Sequence, residues 1–280
     1  MLEMLSFDFM QRAILAGLLV GLVCPAIGVF IILRKQSLIG DGLGHIAFTG
    51  VAAGWLAGVY PVVSATVLTV LAAVGIEELR FRRPAYADMV LAIFAYTGVA
   101  CAVILSSMAK TSAVNLFGYL FGSIMTVSFQ DVAAIALLTI TVLAVLGLFF
   151  KEFLFVTFDE EVARVSGLPI RRINLLLAVL TALTVSVAMR VVGILMVSAL
   201  MVIPAAASLQ LSKSFRATLL NAILISEVSV VAGLLTSFLF NFASGGTIVL
   251  VAAFFFFAAF ILRQLFWERS GKYGSSAANR

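Results

Sequence analysis

The sequence predicts an all-α protein, a polytopic transmembrane helix bundle of about nine spans, with eight or ten as the neighbouring counts. Three observations lead there. Of the 280 residues 63% are hydrophobic and only 11% charged, against roughly 25% charged in a soluble domain. Several apolar runs rich in Leu, Val, Ala, Ile and Phe exceed the ~18 residues a bilayer span needs, unlike the short alternating segments of a membrane β-barrel. Lys and Arg fall between these runs. The net charge of +5 therefore reflects the bias of cations toward the cytoplasmic side, and no nucleic-acid partner is implied.

The first span covers Ala13 to Leu33, with Pro25 inside it as a kink position. Glu3 and Asp8 precede it where a signal peptide would carry basic residues, so it reads as a retained span. Arg34 and Lys35 close it on the cytoplasmic side. The second span carries the chain's single histidine, His45, and turns at Tyr60-Pro61. The third, from Val62 to Ile76, returns to a cytoplasmic loop with Arg80, Arg82, Arg83 and Pro84. The fourth covers Met89 to Ser106. Lys110 to Val127 is less apolar, interrupted by Asn115, Gly118, Tyr119, Gly122 and Ser123, and reads as re-entrant or interfacial.

The fifth span, Val132 to Phe150, leads into the longest polar segment, about residues 151–172. Asn174 to Gln210 is too long for one span and is divided into two at Arg190, placed at the outer surface. Lys213 and Arg216 lie inside, an eighth span covers Ala217 to Phe240, and Asn241 to Gly246 forms an outer turn. The ninth, Thr247 to Leu265, ends near Trp267, an interfacial anchor, before a cytoplasmic polar tail at residues 269–280. One membrane domain thus fills residues 1–268, with the N-terminus outside and the C-terminus in the cytoplasm. Cys24 and Cys101 sit in apolar runs and read as small buried hydrophobes.

Ionisable residues within spans are expensive, about 2.5 to 3.5 kcal/mol at a helix centre, and so mark functional positions. The foremost are Asp41 and His45, four residues apart and hence one above the other on a helix face. One carboxylate and one imidazole suit a borderline-soft divalent cation such as Zn²⁺, whereas Mg²⁺ and Ca²⁺ prefer oxygen alone. The alternative makes Asp41 a helix N-cap and His45 a hydrogen-bonded packing residue. Glu227 lies some ten residues into its span, where it either lines a pathway or pairs with a cation such as Arg190. Arg190 itself reads as snorkelling to the outer surface. Asp88 and Asp131, at span starts, read as structural caps. Met189, Met196 and Met201 read as packing, and Gly50, Gly54, Gly193 and Gly233 as close helix contacts. There is no nucleophile elbow, HExxH or GxxxxGK[ST] loop. The chain is therefore not an enzyme, and any ATPase that drives it is another polypeptide.

Six stretches, taken together, carry a resemblance: FDFMQRAILAG, GVFIILRKQSLIGDGLGH, YLFGSIMTVS, LFVTFDEEVARVSGLP, TALTVSVAMRVVGILMVSALMVIPAAAS and ASGGTIVLV. The chain resembles the permease subunits of bacterial metal-ion ABC importers, most of all the zinc-uptake members. That resemblance implies a type II importer-like fold in the bacterial plasma membrane, working as a homodimer with two ATP-binding subunits and an external metal-binding protein. It implies that Asp41 and His45 contact the translocating ion and that Phe158, Asp159, Glu160, Glu161, Ala163, Gly167, Leu168 and Pro169 dock against the ATPase. Zinc is then transported substrate, with no permanently bound cofactor, and manganese or iron are alternative cargoes. Gly42, Gly44 and Ala243 depart from the family's usual residues, and the two glycines suggest a partly unwound helix beside the pair. Glu227 is not a family feature, and its reading as a further metal contact rests on its depth. Rival readings are a proton-coupled carrier using Asp41 and Glu227, and an importer of larger metal chelates that would not depend on His45.

Overall fold

The computed structural model describes residues 8–109, 118–122 and 127–277, with side chains described through residue 265. Eleven α-helices of six or more residues occur among the described residues. They are α1 (Asp8–Leu33), α2 (Ile39–Ala57), α3 (Pro61–Arg82), α4 (Ala87–Met108), α5 (Phe129–Leu148), α6 (Phe150–Phe158), α7 (Glu160–Val165), α8 (Ile170–Ala188), α9 (Val197–Leu211), α10 (Phe215–Phe240) and α11 (Ser244–Ala277). No strand occurs among the described residues. Seven helices are long and apolar enough to cross a membrane: α1, α3, α4 (with the short 3₁₀ turn ahead of it), α5, α8, α10 and the 244–265 part of α11. The remaining two of the nine expected spans correspond to α2, which carries Asp41 and His45, and α9, an apolar helix of 15 residues.

The break at Arg190 is real. Helix α8 ends at Ala188, residues 189–196 run through turns, and α9 begins at Val197. Of the expected re-entrant segment, residues 110–117 and 123–126 lie outside the described residues. Residues 118–121 form one helical turn whose Tyr119 and Leu120 carbonyls accept from the Ile194 (2.9 Å) and Leu195 (3.2 Å) amides. Backbone without a helical partner is tolerated at membrane depth only where protein satisfies it, and these two bonds do so. Trp267 lies beyond the described side chains.

Two groups of helices meet along α1 and α9. Helix α2 packs on α3, α4, α8 and α9, while α10 packs on α1, α9 and α11. With no aqueous driving force between helices in lipid, close backbone approach has to come from small residues. A Cβ on Gly28 would sit 1.9 Å from the Met201 carbonyl oxygen, one on Gly50 would sit 2.4 Å from Ala65 Cα, and one on Gly233 2.5 Å from Ile248 Cα. These glycines are contact points between helices. Cys24 is fully buried, but Cys101 is exposed on α4. That corrects the expectation for Cys101: an apolar run says only that a residue avoids water, and this one faces outward from the bundle, where lipid and protein are equally acceptable.

Gly28→Ala is expected to lower the melting temperature of the detergent-solubilised protein, since forcing one methyl into a filled contact costs about 1 to 3 kcal/mol. Gly147→Ala, where an added Cβ meets nothing within 4 Å, is the matched control and leaves the melt unchanged or higher.

Candidate functional site

Helix α2 opens at Leu38, which offers no side-chain cap, so Asp41 lies in the first turn and is not the N-cap. The helix runs unbroken through Gly42 and Gly44 to Ala57, and the partial unwinding expected there does not occur. The glycines serve contact instead. A Cβ on Gly42 would meet Leu91 Cδ1 of α4 at 2.8 Å, and one on Gly44 would meet the Ile194 carbonyl at 3.1 Å. Thr49, one turn beyond His45, donates to the Gly98 carbonyl of α4 at 2.5 Å. Helix α2 is thus held tightly on two sides while the Asp41–His45 face is left open.

On that face His45 Nε2 lies 3.7 Å from Asp41 Oδ2, with the side chains 22% and 49% exposed respectively. The separation leaves room for a cation held by both groups, and the exposure leaves room for further ligands. No group of three or more His, Cys, Asp or Glu side chains gathers among the described residues.

Glu227 does not join it. It lies on α10 against α1, and a Cβ on Gly21 would fall 3.2 Å from its carboxyl carbon and both oxygens. Pro25, one turn along α1, has no N–H to give the Gly21 carbonyl. Its Oε2 is buried with no hydrogen-bond partner in the protein. Glu227 thus does not gather with Asp41 and His45 into one group of ligands among the described residues.

Arg190 also differs from expectation. It turns inward, 14% exposed, and pairs with Asp131, whose side chain is completely buried. Its Nε donates to Asp131 Oδ1 at 3.0 Å, a second nitrogen donates to Oδ2, and its guanidinium carbon lies 4.9 Å from the Tyr119 ring centroid. Tyr60, at the start of α3, donates to the same carboxylate. Burial first, and then that bond to the carboxylate, raise the Tyr60 hydroxyl above its ordinary range, so it remains a donor. Asp131 is also the cap it was expected to be, closing a capping box with Ser128. Snorkelling loses here because a buried carboxylate without a cation costs more than drawing the guanidinium inward.

At the end of the bundle marked by Arg34 and Arg80, the segment 158–169 forms a compact corner. Asp159 caps α7 by accepting from the Val162 amide at 2.9 Å. Gly167, at φ +82°, closes it: its amide bonds to the Arg164 carbonyl and the Leu168 amide to the Ala163 carbonyl, both at 3.1 Å. Ala163 is buried, so its part is to seat the corner. Phe158, at the end of α6, and Val162 and Val165, on α7, are 65%, 48% and 90% exposed. Of these, the sequence reading names only Phe158. The signal for the two valines is their i, i+3 apolar spacing within an otherwise polar segment.

A profile of the family described as the ABC 3 transport family matches residues 6–263. The chain belongs to that family. The permease is 31% identical to the high-affinity zinc uptake system membrane protein ZnuB of Haemophilus influenzae, over 92% of this chain and 99% of that one. It is 34% identical to the manganese transport system membrane protein MntC of Listeria innocua, over 92% of each. Among solved structures, PsaBC from Streptococcus pneumoniae in complex with Fab superposes with a TM-score of 0.84 at 33% identity, covering 92% of this chain and 94% of that one. The all-helical permease fold of an ABC importer is thereby established.

Asp131→Ala is expected to cost about 3 to 5 kcal/mol of stability, because it strands the Arg190 guanidinium in the bundle. In that background Arg190→Ala should cost little more. A double-mutant cycle on thermal unfolding in detergent checks this, and additive losses would mean the two groups act separately.

Proposed function

We propose that this permease imports zinc, receiving the ion from an external binding protein and working as a homodimer with two copies of a separate ATP-binding subunit. The observation that carries the reading is the Asp41–His45 pair, 3.7 Å apart and partly open on a helix otherwise locked into the bundle. A carboxylate and a neutral imidazole are donors zinc accepts readily. Two donors per chain do not close a tetrahedral shell, so water or the second copy completes it and the ion is not trapped. Asp41 contributes charge to draw the cation in, and His45 supplies the nitrogen that favours zinc over magnesium or calcium.

The likeness to a zinc-uptake protein over nearly the whole chain supports the cargo assignment. Manganese is the second reading, favoured by the comparable likeness to MntC and by the carboxylate. Segment 151–172 would be the place where ATP-driven closure of the nucleotide-binding subunits acts on the permease, converting an outward-open pathway to an inward-open one. The exposed apolar side chains of Phe158, Val162 and Val165, around the capped corner at Asp159 and Gly167, support that assignment. Loops rich in cations on this side, Arg80, Arg82, Arg83, Lys213 and Arg216, support placing it and the C-terminus in the cytoplasm of a bacterial cell.

Cells expressing the complete transporter should accumulate zinc, measured by elemental analysis, and His45→Ala at equal membrane abundance should lose nearly all of that uptake. Accumulation of manganese would change the cargo and keep the site, whereas normal transport by the variant would make His45 a packing residue. Val165→Asp, at a position 90% exposed, should leave the folded yield of the permease intact and strip the ATP-binding subunit during co-purification. Full retention of that subunit would place its docking surface elsewhere.

A further inference from the structure

Among the described residues, four of the six ion pairs fall within a single helix, at spacings of three or four residues. The remaining two join different elements, Arg171 to Glu78 and Arg190 to Asp131. Both involve the same helix. Arg171 lies in the first turn of α8, and Arg190 follows its last turn by two residues. At 19 residues, α8 spans about 28 Å between them.

The partners lie at the two ends of α3. Glu78 is in its last turns, and Tyr60, which shares the Asp131 carboxylate with Arg190, directly precedes it. Helices α3 and α8 are therefore fastened at both ends. The contact at the Arg171 end has a defined geometry. Arg171 Nε and Nη2 donate to Glu78 Oε2 at 3.1 and 2.5 Å, the guanidinium carbon lies 5.3 Å from the Phe81 ring centroid, and Glu78 Oε1 accepts from Arg82 at 2.7 Å. Two donors converging on one carboxylate oxygen while the guanidinium plane lies against a ring hold Arg171 in one orientation, which the single ammonium of lysine reproduces only in part. Yet Arg171 is 57% and Glu78 29% exposed, and an exposed pair of this kind contributes little to folding.

We infer that Arg171 and Glu78 are positioning residues for transport, linking the ATPase-docking corner to α3 and through α3 to the helix that carries Asp41 and His45. The inference rests on the docking role proposed above for segment 158–169. Pro169 passes directly into α8 at Ile170, so movement of the corner moves the first turn of α8. Arg171 hands that movement to α3. Helix α3 passes it to α2 through backbone contact, since Gly50 and Gly54 admit Ala65, Ser64 and Pro61 closer than any side chain would allow. A rigid path needs a fixed joint at the point where force enters. The orientation-specific Arg171 contact supplies it, and packing alone would let α8 slide along α3.

The test uses the complete transporter in proteoliposomes, with ATP hydrolysis and zinc uptake measured on the same preparation. Arg171→Ala and Glu78→Ala should retain the ATP-binding subunit and continue to hydrolyse ATP, while zinc delivered per ATP falls about fivefold or more, the lower range of measured couplings between sites. Arg171→Lys should recover only part of the ratio, and the exchanged pair Arg171→Glu with Glu78→Arg should recover more than either single charge reversal. An unchanged ratio with the subunit still bound would overturn the inference alone. Parallel loss of hydrolysis and uptake would overturn it as well, because the pair would then act on folding or assembly. If the wild-type permease fails to hold the ATP-binding subunit through residues 158–169, the docking reading falls first and takes this inference with it.

Discussion

The Asp131 carboxylate sets the arrangement of one whole end of the bundle. A fully buried anion in an apolar protein is tolerated only if cations and donors surround it. Here they come from Arg190, Tyr60 and Ser128. These residues belong to the connection after α8, the start of α3 and the cap of α5, so satisfying one charge fixes the relative positions of three helices. The same requirement extends outward. Residues 189–196, drawn in with Arg190, leave the helix, and their backbone groups find partners in the 118–121 turn and in Ser244, whose hydroxyl donates to the Val191 carbonyl at 3.2 Å. Gly193 and Gly122, at φ +89° and +76°, make the crossing feasible because a Cβ on Gly193 would lie 2.4 Å from the Gly122 nitrogen.

The same end also bears on the helix that carries Asp41 and His45. Helix α2 hangs between α3 and α4 by glycine contacts and the Thr49 hydroxyl, and Trp55 near its far end packs edge-on against Tyr119 at 5.2 Å. It is thereby tied to the same cluster. Asp41 and His45 lie at the opposite end of α2, toward the corner at residues 158–169. The pair therefore stands away from the Asp131 cluster, on a helix packed against both α4 and α3.

Local patterns carried most of this architecture. Apolar length marks the long helices, and the cation-bearing loops mark one end of the bundle. Even the split at Arg190 follows from the excess length of 174–210. The placing of Asp41 and His45 one turn apart on α2 was legible for the same reason, since a four-residue spacing is a helical fact. Relations between distant residues were not. Arg190 and Asp131 are 59 residues apart, and each alone has an adequate local explanation, as a snorkelling cation and as a helix cap. Gly42 and Gly44 mislead in the same way. Propensity reads them as weak points of α2, whereas tertiary contact with Leu91 and Ile194 makes them necessary. Glu227 stands out by depth, but its neighbour Gly21, on a helix some two hundred residues earlier, is invisible to any local rule.

Selectivity is the harder demand on a site of this kind. One carboxylate and one imidazole bind the first-row divalent ions in the usual order of rising affinity toward copper, with zinc above manganese and iron, and they do so in any scaffold that brings them together. The donor types therefore exclude the hard alkaline-earth ions and do little to separate zinc from manganese. That separation has to come from what completes the shell. A second copy of the pair gives two imidazoles and two carboxylates, a tetrahedral set that zinc accepts without penalty, whereas water ligands that raise the coordination number favour manganese. Under the proposed function, in which each copy brings Asp41 and His45, the spacing between copies rather than the sequence of either would decide the cargo.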